Sequence, residues 1–134
     1  MIHVGALPGT AYNTKTLSAI IGRAVEEAAM LEKAGVDAVM IENMHDRPYL
    51  LRRVGPEIVA AMTAVGAAVR QTARIPVVVG SGVTADNLAD YWSVADAFIV
   101  GSYFKRDGIW SNPPDPRRLE RFIKAVEALP ARGR

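Results

Sequence analysis

The chain has 134 residues, half of them hydrophobic and 22% charged, with a formal charge of +2. That length and balance suit one globular domain with its own core and exclude a disordered chain. The absence of cysteine excludes disulfides, thiolate metal sites and a cysteine nucleophile, and a pI near 9.2 without a basic run interleaved with aromatics does not indicate nucleic acid.

Met1–Gly5 is the first strand candidate, closed by the turn-forming Leu7-Pro8-Gly9-Thr10. A helical pattern runs from about Lys15 to Ala34, with Leu17, Ile20, Ile21, Ala24, Ala28 and Leu31 on one face and Gly35 at the expected left-handed C-cap. Asp37–Asn43 is the second strand, and a polar loop, Met44–Val54, leads to Gly55-Pro56-Glu57, where proline fits a first helical turn. Ile58, Met62, Val65 and Val69 continue that second helix as a stripe. Ile75–Val79 is a short β-branched third strand, and Thr84 can cap a third helix that buries Leu88 and Trp92. Ala97–Val100 is the fourth strand. Asp115-Pro116 opens a last helix with Leu119, Phe122, Ile123 and Val126 toward the core, and Ala131-Arg-Gly-Arg is a frayed tail.

Strict alternation of four strands with four helices predicts parallel strands covered by helices, in one domain spanning residues 1–134. A flavodoxin-like open sheet usually has a fifth strand. A TIM barrel needs eight strands and about 250 residues, so this α/β chain reads as a (βα)4 half of one. Left alone, such a half exposes two strand edges, and two copies could complete a (βα)8-like barrel as a homodimer through those edges. No apolar run approaches the roughly 20 residues that cross a bilayer. Met1-Ile-His-Val-Gly5 lacks the marks of a signal peptide. A cytoplasmic protein without membrane insertion or nucleic-acid partner is the expectation.

Ligands of βα-repeat proteins bind at the C-terminal ends of strands. Gly80-Ser81-Gly82-Val83, between a strand and a helix, can present backbone amides to an anion, and Gly101-Ser102 offers a second set after the next strand. Paired glycine-rich ends on the last strands of a barrel suit a phosphate, so a phosphorylated small molecule or inorganic phosphate is the expected partner, with no cofactor and no metal. Alternation puts His3 and Glu42 on the face away from the helices, where a His/carboxylate pair could do acid–base work. Asn43, His45, Asp46 and Arg47 could grip a polar ligand, although a solvated polar loop is the commoner reading of such a cluster. Trp110 either caps the barrel mouth or covers apolar surface.

Together His3 with Leu7-Pro8-Gly9, the segment from Val36-Asp37 to Glu42-Asn43, Arg53-Val-Gly-Pro-Glu57 and Gly80-Ser-Gly-Val-Thr84 resemble the BtpA family. Ala95-Asp-Ala-Phe-Ile-Val-Gly-Ser102, Lys105-Arg-Asp-Gly-Ile-Trp110, Asn112-Pro113 and Asp115-Pro116 extend the resemblance over nearly the whole chain. It implies a TIM barrel similar to ribulose-phosphate-binding barrels, and a role in photosystem I assembly or stability in cyanobacteria. Sugar-phosphate metabolism is suspected for relatives elsewhere. A family member is about twice as long. Here the part resembling the first two βα units runs through Thr72-Ala-Arg-Ile-Pro76 into a part resembling the seventh and eighth strands. The expected function is a BtpA-like half-barrel binding a sugar-phosphate-like molecule, with Glu42 and His3 as acid–base candidates. A non-catalytic assembly factor and an inactive fragment are the alternatives.

Overall fold

The computed structural model describes residues 1–48, 54–80 and 82–131. The expectations for Ser81, Arg53 and the tail at 132–134 lie outside them. Strand β1 (Ile2–His3) is followed by helix α1 (Leu17–Lys33), β2 (Val39–Glu42), α2 (Pro56–Thr72), β3 (Val77–Gly80), α3 (Leu88–Tyr91), β4 (Ala97–Ile99) and α4 (Pro116–Glu127). The strands form one sheet in the order β1-β2-β3-β4, and every pairing is parallel. The chain is therefore an α/β protein with the strand and helix complement of half a TIM barrel.

Alternation along the strands sorts their side chains. Ile2, Val4, Val39, Ile41, Val77 and Val79 are buried and join Ile20, Ala24 and Ala28 of α1, Val65 and Val69 of α2, and Leu88 of α3 in one apolar cluster. The opposite face carries His3, Met40, Glu42, Val78, Ala97 and Ile99, and no described element covers it. Ile99 is 55% exposed there. Gly66 lets α2 approach the sheet, since a β-carbon at that position would stand 3.2 Å from Val94 and 3.4 Å from Ile41.

Local signals place the helix ends. Thr16 accepts a hydrogen bond from the Ala19 amide at the start of α1, and Asp115 accepts one from the Arg117 amide ahead of α4. Pro56 occupies the first turn of α2. Asp96 fastens the start of β4 to β3: its carboxylate accepts the Val77 amide at 2.9 Å, and its own amide donates to the Val77 carbonyl at 2.7 Å. The Arg70 guanidinium stands 2.6 Å from the same carboxylate.

Three expectations need correction. The third helix is a single turn, entered through a turn at residues 85–87, because the chain passes directly from Trp92 toward β4. Trp92 is only half-buried. Its ring stacks on Phe98 with centroids 6.1 Å apart, and its indole N–H donates to the Pro130 carbonyl. On α4 only Phe122 is buried, while Ile123 is 52% exposed and Leu119 also faces solvent. An amphipathic pattern marks the apolar side of a helix but does not supply the element that covers it, and among the described residues no strand follows β4 in the sheet.

Tyr103 packs its ring against Phe104 and Phe122, with the Arg118 guanidinium 4.7 Å from the ring centre. Its hydroxyl is buried, with no hydrogen-bond partner among the described residues. Tyr103→Phe removes an unsatisfied donor at little cost in packing, so thermal denaturation should show unchanged stability or a gain of up to about 1 kcal/mol. A loss of that size would reveal a partner for the hydroxyl.

Candidate functional site

The C-terminal strand ends carry the polar side chains. In the β1–β2 register His3 pairs with Glu42, so both project from neighbouring strands onto the uncovered face. His3 is exposed and Glu42 half-buried. No ion pair or hydrogen bond joins the two side chains among the described residues. His3 Nε2 instead lies 3.0 Å from the Met1 sulfur, and its ring meets His45 edge-on at 6.4 Å. The expected pair is adjacent, and both groups remain open to a ligand.

Asp46 is the one buried polar residue among those described. One carboxylate oxygen accepts the Leu7 amide at 2.7 Å and the other accepts the Asn43 side-chain amide at 3.0 Å. The residue therefore ties the loop after β1 to the loop after β2, and is neither a ligand grip nor solvated loop polarity. Asn43, expected to touch ligand, has its side-chain N–H group engaged by this clamp.

The glycine-rich ends leave the same side of the sheet. Gly80 pairs with Ile99, so Gly82 and Gly101 each lie two residues beyond adjacent strand positions. Neighbouring strands are about 4.8 Å apart, so the two turns start from adjacent strand ends. Gly82 has a φ of +70°, a conformation that side-chain-bearing residues rarely adopt. The turn is held by Asn87, which accepts the Thr84 amide at 2.7 Å and donates to the Gly82 carbonyl at 3.0 Å. Thr84 returns the contact by accepting the Asn87 and Asp86 amides, a reciprocal cap. Among the described residues, no acceptor engages the amides of Gly82, Val83, Gly101 or Ser102. The Val83 side chain lies in the core, leaving only its backbone for a ligand. Gly80 ends β3, and a β-carbon there would stand 2.8 Å from the Met40 sulfur, a packing reason for glycine independent of any anion. With α3 a single turn, the helix-end attraction expected from the sequence contributes little, and the backbone donors must act by themselves.

A groove of about 590 Å³ lies at the other edge of the sheet, along the free flank of β1 and α1. Lys15, Arg23, His45 and Arg47 line it together with His3, opposed by Glu27. Reading the sequence alone missed Lys15 and Arg23. Their signal was a set of cations distributed over separate segments that only the fold brings together. Trp110, expected to cap or cover, is 79% exposed in the loop after β4.

The model of the BtpA family matches residues 1–77 and 65–128. The chain belongs to the BtpA family. It is 33% identical to the photosystem I biogenesis protein BtpA of Synechocystis over 106 residues, covering 79% of this chain and 36% of that protein. It is 33% identical over 137 residues to the putative sgc region protein SgcQ of Escherichia coli, covering 95% of this chain and 50% of that one. An uncharacterised mitochondrial protein of Caenorhabditis elegans is 53% identical over 62 residues, 46% of this chain and 22% of the relative. The chain thus spans half or less of the length of these relatives. No solved structure matches it. No described helix is long and apolar enough to cross a membrane.

Proposed function

We propose that this BtpA-family chain acts as a half-barrel unit that binds a phosphorylated small molecule, of sugar-phosphate type, at the C-terminal ends of β3 and β4. The reading is supported by two glycine turns that leave adjacent strand ends and whose amides at Gly82, Val83, Gly101 and Ser102 meet no described acceptor. Backbone donors fixed in a turn favour an anion without requiring a charged side chain. On this reading His3 and Glu42, beside each other on the first two strands, are the acid–base groups for the bound molecule.

Inorganic phosphate and sugar phosphates should raise the melting temperature with ligand concentration, by mass action. Gly101→Asp is the informative variant, because a β-carbon at Gly101 would meet nothing within 4 Å and the fold should tolerate the change. Its added carboxylate should abolish the phosphate response while leaving the unliganded melting temperature in place. Glu42→Gln should keep phosphate affinity within about twofold, since the cradle is built from main chain; loss of any turnover with binding retained would assign Glu42 to chemistry. No stabilisation by any phosphate compound would defeat the reading. It would favour instead a non-catalytic assembly factor, the role that the name of the Synechocystis relative suggests and that the uncovered apolar residue Ile99 would suit.

A further inference from the structure

We infer that two copies of this chain close an eight-stranded barrel about a common axis, and that each phosphate site is completed across the seam by the partner's Lys15 and Arg47. The second clause rests on the phosphate reading above; the first does not. Among the described residues both outer strands have a free edge, since β1 pairs only with β2 and β4 only with β3. Parallel strands with a free edge at each end of the sheet can be joined β4 to β1 in both directions by one two-fold rotation, which leaves no edge unpaired.

The two flanks to be joined differ in the way such a seam needs. Along β1 and α1 runs the groove, floored by Ile2 and Val4 and walled by the small or slender Ala19, Ile20 and Ala24. Along β4 and α4 stand side chains without cover, Ile99 on the strand and Leu119 and Ile123 on the helix. Charges beside the apolar strips alternate on both helices: Arg23 and Glu27 border the groove, and Glu120 and Lys124 border Ile123. Opposite signs can therefore meet when α4 of one copy lies beside α1 of the other. Closure would also bury Met1, His3, Met40 and Ile99 inside the barrel, where their face now lies open.

The same rotation settles where the cations go. Within one chain the glycine turns lie at β3 and β4, while Lys15 and Arg47 line the groove at the opposite edge of the sheet. Across the seam, the turn after one copy's β4 adjoins the loops after the other copy's β1 and β2. Two basic side chains then face the main-chain donors, which by themselves carry no net charge. The completed site would take a phosphate dianion.

Light scattering of the wild-type chain over a range of concentrations should report twice the 14.4 kDa of one chain. Ile123→Lys, at a side chain already half exposed, should report a monomer with the same far-ultraviolet circular dichroism. Phosphate titration calorimetry then tests the shared site. Gly101→Asp and the double variant Lys15→Glu, Arg47→Glu should each lose at least tenfold in phosphate affinity as homodimers. Co-expressed under two affinity tags, their heterodimer contains one seam with both defects and one with neither. It should bind one phosphate at wild-type affinity, against two for the wild-type dimer. A heterodimer as weak as its parents would place the site within one chain and overturn the shared site. A wild-type monomer at every concentration, or growth into open oligomers, would overturn closure even if phosphate binds. A wild-type dimer without phosphate binding would defeat the functional reading and the shared site with it, leaving closure alone.

Discussion

Asp46→Ala should lower unfolding stability by about 3 kcal/mol, measured by denaturant titration, although no ligand is involved. The carboxylate is buried and holds two donors from different loops, the Leu7 main-chain amide at 2.7 Å and the Asn43 side chain at 3.0 Å. Leu7 is itself fully buried, so truncation leaves a main-chain N–H in the interior without an acceptor. Hydrogen bonds to charged acceptors contribute about 1.5–3 kcal/mol, and orphaning the donor adds its own desolvation cost. Asp46→Asn separates the two contacts. It keeps an oxygen for Leu7 but presents an amino group to the Asn43 amino group, so a loss of about 1 kcal/mol is expected unless Asn43 turns over. If Asp46→Ala proved as stable as the wild type, water would be replacing the carboxylate and the loops would not depend on it.

Alkaline pH should weaken the fold through one tyrosine. Burial, with a smaller contribution from the neighbouring Asp90 carboxylate, pushes the Tyr91 phenol up to about 12 from its ordinary 10.0. The unfolded chain ionises this group near pH 10 and the folded chain near pH 12. Its contribution is therefore complete below pH 10 and is lost as pH rises toward 12. Two pKa units correspond to roughly 2–3 kcal/mol, all of it removed above pH 12. Tyr91→Phe retains the ring and cannot ionise. The stability difference between wild type and variant, followed by denaturant titration from pH 9 to 12, should change by that amount in favour of the variant. Parallel curves would mean that the phenol ionises alike in both states.

The elements could be read from the chain because their signals are local. Periodicity located α1 within two residues of its ends and Pro56 marked the start of α2, while alternation put His3 and Glu42 on one face. Asp46 was misjudged because its partner, the Leu7 amide, is 39 residues away and a main-chain donor has no signature in sequence. Asn87 was overlooked for the opposite reason. Its side chain bonds its near neighbours Gly82 and Thr84, but an Asn near a helix start is so common that nothing singled it out. The exposed side of α4 and the groove beside β1 were illegible in a deeper sense, since both are defined by what does not cover them.

Strand order in the sheet repeats the order along the chain, so each strand lies next to the one made just before it. Pairings then span only one intervening helix, and a ribosome-bound chain can complete β1 against β2 while the last helix is still being synthesised. The same adjacency makes the architecture modular in a genetic sense. Excising a whole strand-plus-helix repeat leaves its two flanking strands free to hydrogen-bond to each other, with no connection forced to cross another. Evolution can therefore lengthen or shorten such a protein in discrete steps without rewiring what remains.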